Sequence, residues 1–139
     1  MLKRKTAGWA TINFAGHRDW VSYITNVLTD VLEAVHQYYD LGIENPVIRF
    51  DAEGYDLKFV LGKWESHLLV AGDRWDCYTS EKNIDEIFLE LLSDISKDLH
   101  GWIYDFTLWD EETEKNLEQK EKEIKLFIAE KKKQIKERG

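Results

Sequence analysis

The chain of 139 residues has the length of one domain and carries 27 acidic against 19 basic residues, a formal net charge of −8. With 43% apolar residues and six each of Trp, Tyr and Phe, it can form a hydrophobic core and is not a disordered chain. A single cysteine excludes an intramolecular disulfide framework, and a single proline excludes a polyproline linker.

The negative charge is concentrated in the middle of the chain. Residues 1–15 carry three basic groups and no acids, residues 16–110 carry seven basic and 19 acidic groups, and residues 111–139 carry nine basic and eight acidic groups. An anionic surface repels phosphate backbones and anionic lipids. The sequence therefore argues against direct nucleic-acid or membrane binding and favours a basic protein as partner.

The amino terminus carries positive charge but lacks the apolar segment of a signal peptide, and no run approaches the 18 apolar residues of a membrane span. A lone cysteine agrees with a reducing compartment. We therefore expect a cytoplasmic protein.

The first third of the chain changes its hydrophobic period. Residues 6–14 alternate between apolar and polar side chains, which predicts a short strand. From Asp19 onwards the apolar residues follow helical spacing and predict a helix over about 19–40. Asp19 is placed to cap the start of this helix, and Gly42 suits the left-handed residue beyond its end.

Alternation returns after Pro46, which disfavours helix for the residue before it. Four alternating segments are separated by turn residues at 51–54, 62–63 and 72–73. Links this short join only antiparallel strands, because a parallel return needs a crossover of about a dozen residues. The segment therefore predicts an antiparallel meander.

A second helix is predicted from Asn83, which can cap it with Glu86 three residues on, to a stop at Gly101. Its outward face is strongly acidic and includes Glu90 and Asp94. Beyond it, the alternation of residues 102–108 favours a strand over a continued helix.

The last segment is rich in Glu, Lys and Gln and predicts a long charged helix with a thin apolar seam of Leu117, Ile124, Ile128 and Ile135. This seam fits a terminal helix docked by one edge; a homodimer formed through residues 110–138 is the alternative.

Together the patterns predict an α+β fold. An antiparallel meander of about 4–6 strands packs against two amphipathic helices, and a long charged C-terminal helix follows. Residues 1–109 form a single α+β domain, with residues 110–139 appended to it.

The sequence contains no pattern typical of an enzyme, a cofactor site or a metal site. Its four histidines share no metal-ligand spacing, and its glycines form no phosphate-binding loop. Cys77 lies at strand spacing from Trp75 and is expected to be buried; it can act as a nucleophile only beside a base. A cleft that gathers two of His36, His67, Cys77 and Asp76 would instead favour an enzyme or a ligand-binding protein.

Nine residues are candidates for binding a partner. The carboxylates of the meander turns would lie together if the hairpins align, and the aromatic residues beside acids are typical of hot spots against basic proteins. The competing interpretations are solvated turn acids and core aromatics. The nine residues are Asp51, Glu53, Asp56, Asp73, Trp75, Asp76, Tyr39, Glu90 and Asp94.

The segment Asp73-Arg74-Trp75-Asp76-Cys77-Tyr78-Thr79, which runs into Asn83-Ile84-Asp85-Glu86-Ile87-Phe88, resembles the small acidic immunity proteins of bacterial toxin systems. The resemblance covers roughly residues 20–100. It implies stoichiometric inhibition, in which an acidic surface covers the basic active surface of a cognate toxin without turnover. A phage-encoded inhibitor of a host defence nuclease fits the same charges, and a structural or adaptor protein that dimerises through the C-terminal helix is the other class.

Overall fold

The computed structural model describes residues 1–5, 8–22, 26–106 and 111–138. The fold is α+β, as predicted, with two antiparallel sheets and four helices among these residues. No helix in these ranges is both long and apolar enough to cross a membrane. The elements in chain order are β1 (Leu2–Arg4), β2 (Trp9–Phe14), β3 (His17–Ser22), α1 (Val27–Tyr39), β4 (Val47–Asp51), β5 (Asp56–Val60), β6 (Ser66–Ala71), β7 (Trp75–Ser80), α2 (Ile84–Lys97), α3 (Leu99–Phe106) and α4 (Glu111–Arg138).

The predicted meander is confirmed as a four-stranded sheet in the order β4-β5-β6-β7. Period-two alternation places one set of side chains against the core, because successive residues of a strand point to opposite faces. The inner face carries the buried residues Ile48, Phe50, Leu57, Phe59 and Leu68.

The other side of this sheet, which we call the open sheet face, is largely exposed. One row in its middle runs across the four strands and carries two basic side chains. Its members are Arg49, Lys58, Leu69 and Cys77. Val47 and Trp75 on this face are 44% and 63% exposed. An antiparallel sheet commonly has one buried and one solvated face, and this sheet has that arrangement.

The second sheet, β1-β2-β3, corrects the predicted first helix. Residues 17–22 form a strand, and the helix begins only at Val27, where Asn26 accepts a hydrogen bond from the Thr29 N–H at 3.0 Å. Ala15 and Gly16 both have positive φ, so they form a two-residue hairpin turn whose twist suits the flanking strands. Asp19 therefore lies within a strand and caps no helix, whereas the left-handed conformation predicted for Gly42 is confirmed at φ 72°.

The two sheets share one core. The ring of Phe14 on β2 packs edge to face against the ring of Phe59 on β5, with centroids 4.7 Å apart. The strand β1, which the sequence did not predict, pairs with β2 from Leu2↔Ile12 to Arg4↔Ala10. The basic amino-terminal segment is therefore part of the folded unit.

The predicted second helix is confirmed from its cap, where Asn83 accepts a hydrogen bond from the Glu86 N–H at 3.0 Å. Its end is not at Gly101. The helix stops at Lys97 because Asp98 leaves helical geometry, and α3 starts at the next residue with the Trp102 N–H bonded to the Asp98 carbonyl.

The predicted strand at 102–108 is wrong for residues 102–106, which are helical, while residues 107 and 108 lie outside the described ranges. Trp102 and Ile103 are adjacent and both fully buried, which a helix allows and an alternating strand does not. Gly101 lies inside α3, and the side chain of Arg4 crosses it, so a larger residue here would require the Arg4 guanidinium to move aside.

The long C-terminal helix is confirmed, and its apolar seam packs against the rest of the chain. Leu117, Ile128 and Ile135 are buried in the common core, with Ile124 partly buried beside them. Contacts run to α2 and α3. The seam that could have joined two copies of the chain is thus occupied within one. The predicted boundary between residues 109 and 110 falls outside the described residues.

Candidate functional site

The register of the meander brings the predicted turn carboxylates to one end of the sheet. Asp51 faces Asp56 across β4 and β5, Asp56 faces Ala71, and Ala71 faces Trp75. The turn of residues 52–55 and the turn of residues 72–74 therefore lie side by side. A Cβ atom at Gly72 would lie 3.8 Å from the Cβ of Tyr55, which shows how close the two turns are.

We call the five carboxylates at this end the acidic rim, comprising Asp51, Glu53, Asp56, Asp73 and Asp76. Within the part of the chain that the structure describes, none of them forms a salt bridge with a lysine, arginine or histidine. Four of the five residues are exposed, and Asp51 is half-buried. Their carboxylates face solvent without a salt bridge, and Arg49 and Lys58 lie on the same sheet face beside Asp51 and Asp56.

Local hydrogen bonds hold the first turn in place. The Asp51 carboxylate accepts from the Glu53 N–H at 2.7 Å, which steadies a turn in which Glu53 has a positive φ of 56°. The Ser22 hydroxyl donates to Glu53 at 3.2 Å, and the Tyr55 hydroxyl donates to the buried Asp19. Because Ser22 and Asp19 belong to β3, the second sheet holds the first of the two turns that carry the rim.

Burial, together with the hydrogen bond to Asp19, raises the pKa of Tyr55 from 10.0 to about 12. A raised folded-state pKa gives stability that is complete below pH 10 and is lost as pH rises through 12. We expect wild-type stability to decline over this window and the Tyr55→Phe variant to lose that part of the decline. Urea unfolding at a series of alkaline pH values measures it; parallel pH profiles for the two proteins would contradict the assignment.

Trp75 stands at the exposed end of the open sheet face, beside the acidic rim. The Lys58 ammonium lies 5.6 Å from the centroid of its ring. Lys58 is two strands away, and the small side chain of Ala71 lies on β6 between the two strands, directly across from Trp75. Trp75 is 63% exposed and is therefore not a core residue, and the part of its ring that Lys58 does not cover is available to a partner. Asp76 points to the opposite face, in the row of Val70.

The acids predicted on the second helix are placed differently, because cations of the same chain pair with them. Asp94 accepts a hydrogen bond from the Leu2 backbone N–H at 2.9 Å and lies 3.6 Å from the Lys97 ammonium. Glu90 pairs with Lys82 at 2.8 Å. The neighbouring Asp98 pairs with Arg4 at 2.6 Å. Much of the acidic face of α2 is therefore neutralised by the basic amino-terminal segment and by nearby lysines.

Tyr39 is also engaged within the chain. Its hydroxyl donates to Asp85 of α2, and burial together with this bond raises its pKa. The guanidinium of Arg138 lies 5.2 Å from the centre of the Tyr39 ring. The structure thus brings together six of the nine candidate residues, the acidic rim and Trp75, and places Tyr39, Glu90 and Asp94 in intramolecular contacts elsewhere.

Comparison with known proteins gives no relatives. No family model, curated protein or solved structure matches the chain. The site is therefore interpreted from its own geometry.

In the part of the chain that the structure describes, the groove between α3 and α4 does not gather the residues considered for an enzymatic cleft. A groove of about 480 Å³ between α3 and α4 is lined by Lys97, His100, Glu121 and Lys125, among others, and by none of the four cleft candidates. Across the described ranges, no cluster of three or more His, Cys, Asp or Glu side chains is placed to hold a metal ion.

The expectation that Cys77 is buried is wrong, because this residue is exposed on the open sheet face. His67 lies beside it, with Nδ1 3.9 Å from the Cys77 sulfur. The sequence names both residues among four that could share a cleft, but it does not show that they are neighbours on adjacent strands. The offset between β6 and β7 that makes them neighbours depends on the length of the turn at 72–74.

Proposed function

We propose that the protein is a non-enzymatic, protein-binding inhibitor, an immunity protein that neutralises a basic toxin by covering its active surface with the acidic rim and Trp75. The observation that carries the proposal is the concentration of five carboxylates that form no salt bridge among the described residues, beside an exposed tryptophan, at one end of the sheet. An exposed aromatic side chain beside several charges of one sign is a typical anchor for a partner that carries the opposite charge.

The charge pattern favours the acidic rim over α2 as the binding surface. A partner cation at α2 would have to displace contacts that Arg4, Lys82 and Lys97 already make. A cation approaching the rim meets carboxylates that form no salt bridge among the described residues, with Arg49 and Lys58 as neighbouring cations on that sheet face. The rim therefore gains more from a basic partner for the same number of charges, because unpaired charges have no internal contact to give up.

The two parts of the site would act on different steps of association. Exposed charges steer a partner during diffusion and set the association rate, and salt screens them over about 10 Å at 0.1 M. A buried aromatic anchor acts mainly on dissociation, and truncating one typically costs about 2 kcal/mol or more. An inhibitor built this way binds quickly at low salt and releases slowly.

The first experiment captures a basic partner from the native host and measures the association rate with the purified pair at increasing salt. We expect the Asp51→Asn, Asp56→Asn, Asp73→Asn variant to associate about tenfold more slowly at low salt, with the loss shrinking as salt rises. Asparagine retains the side-chain oxygen that accepts from Glu53, so the turn is preserved.

A matched control removes three exposed carboxylates elsewhere, with Glu86→Gln, Glu118→Gln and Glu130→Gln giving the same change in net charge. Its association rate is expected to stay within about twofold of wild type, because local potential and not total charge steers binding. Equal losses in the two triple variants, or an association rate that does not respond to salt, would count against the rim. Trp75→Ala is expected to speed dissociation at least tenfold.

A further inference from the structure

A cysteine, a histidine and a glutamate are neighbours at the open sheet face, with the histidine between the other two. The Cys77 sulfur is 3.9 Å from Nδ1 of His67 and 3.9 Å from the Thr79 hydroxyl. That hydroxyl is itself 2.8 Å from Nδ1 of His67. On the far side of the imidazole, Nε2 lies 3.4 Å from the Glu65 carboxylate. The thiol is exposed, so molecules in solution can reach it.

The arrangement defines the role of each ring nitrogen. A carboxylate only accepts hydrogen bonds, so Glu65 favours the tautomer with the proton on Nε2. The lone pair on Nδ1 then faces Thr79 and the thiol. Because Glu65 and Cys77 approach opposite nitrogens, they cannot bind one metal ion together with His67. A nucleophile next to a base that a third group orients is the arrangement of an activated nucleophile.

We infer that Cys77 is a reactive thiol that His67 activates for exchange with low-molecular-weight disulfides. Nδ1 of His67 takes the thiol proton, directly or through the Thr79 hydroxyl, as the Cys77 sulfur attacks one sulfur of the disulfide. The new S–S bond forms, the old one breaks, and the departing thiolate takes the electron pair and then the proton from His67. The products are a mixed disulfide on Cys77 and one free small thiol.

Two features favour this chemistry over acyl transfer. A disulfide carries its own electrophilic sulfur and leaving group, so an exposed thiol can react with it without the preorganised donors that a tetrahedral intermediate requires. The chain also has only one cysteine, so no second thiol of the same chain can displace the adduct. Cys77 is thus a site of stable, reversible modification, a property independent of the inhibitor role.

The test measures the rate at which oxidised glutathione modifies the full chain at neutral pH, followed by mass spectrometry. We expect the folded wild type to react at least about tenfold faster than the same chain unfolded in urea, and about tenfold faster than His67→Gln. Glu65→Gln is expected to fall between wild type and His67→Gln. Arg49→Gln, a control on the same sheet face away from the thiol, is expected to react like wild type.

Equal rates for folded and unfolded wild type would overturn the inference, as would a folded His67→Gln variant that reacts at the wild-type rate. The comparison of folded with unfolded wild type needs no substitution, so it decides the matter even where a variant does not fold. The measurement uses no protein partner. A negative result for the thiol would therefore not contradict the proposed inhibitor surface. Likewise, an association rate that does not respond to salt would not contradict the reactive thiol.

Discussion

Replacing Phe59 with alanine is expected to destabilise the protein by about 3–5 kcal/mol, the range for removing a buried aromatic ring from a core. Phe59 is fully buried at the centre of the inner sheet face, and its ring packs against Phe14 of the other sheet. The substitution therefore removes a contact that joins the two sheets as well as the side chain's own burial. A loss of this size is a large fraction of the 5–15 kcal/mol that typically holds a domain folded.

The matched control is the next residue along the strand. Val60 is half-buried and points to the open sheet face, so Val60→Ala is expected to cost less than about 1.5 kcal/mol. Urea unfolding followed by circular dichroism and tryptophan fluorescence gives both values. Comparable losses at the two positions would mean that the open sheet face is covered, and would contradict both the sheet orientation and the exposed site.

The second large effect is expected at the contact between α1 and α4. The side chain of Lys131 is only 4% exposed and its ammonium binds Asp40, while the Asp40 side chain is 31% exposed. Asp40→Ala leaves the buried ammonium with Gln134 at 3.3 Å and the face of Phe127, and is expected to cost about 2 kcal/mol. Lys131→Met keeps the packing, leaves Asp40 bonded to His36 in partial contact with water, and is expected to cost less than about 1 kcal/mol.

The same contact makes an acid-side prediction. The hydrogen bond from Lys131, and after it the one from His36, lower the pKa of Asp40 below its ordinary value of 3.8. A lowered folded-state pKa gives stability that is present above pH 3.8 and is lost as pH falls through the folded pKa. Unfolding measured from neutral pH down to strongly acidic pH is therefore expected to show a smaller acid-side loss in Asp40→Ala than in wild type. An equal or greater loss in Asp40→Ala would contradict the pairing.

The sequence predicted the parts of the fold in which local chemistry and tertiary packing agree. The meander follows from alternation interrupted by turn residues, and the start of α2 follows from the cap at Asn83. The first helix was extended over β3 because Trp20 happens to fall on the helical spacing of the residues after it. The turn that separates them, Ala15-Gly16, lacks the Asn-Gly or Asp-Gly pair that usually marks such a hairpin.

The sequence names the six residues of the candidate surface, but it does not predict how the chain places them or what surrounds the other three candidates. That Asp56 and Trp75 lie at the same end of the sheet depends on strand register, which alternation alone does not fix. That Asp94 and Asp98 are neutralised depends on β1 pairing into the sheet and carrying Arg4 to α2. Cys77 is exposed because its face of the sheet is the uncovered one, and the periodicity of a strand does not reveal which face the core covers.

The position of α2 has a consequence for how the chain folds. The helix packs against both β1 and α4, and its bond with Leu2 through Asp94 joins residues 92 positions apart. The contact of Asp40 with Lys131, which joins α1 to the same α4, spans 91 positions. Contacts between segments so distant in sequence require long loops to close, which slows folding. During synthesis, the apolar stripe of α2 emerges before α4 can cover it. We therefore expect the core to close late, after α4 has left the ribosome.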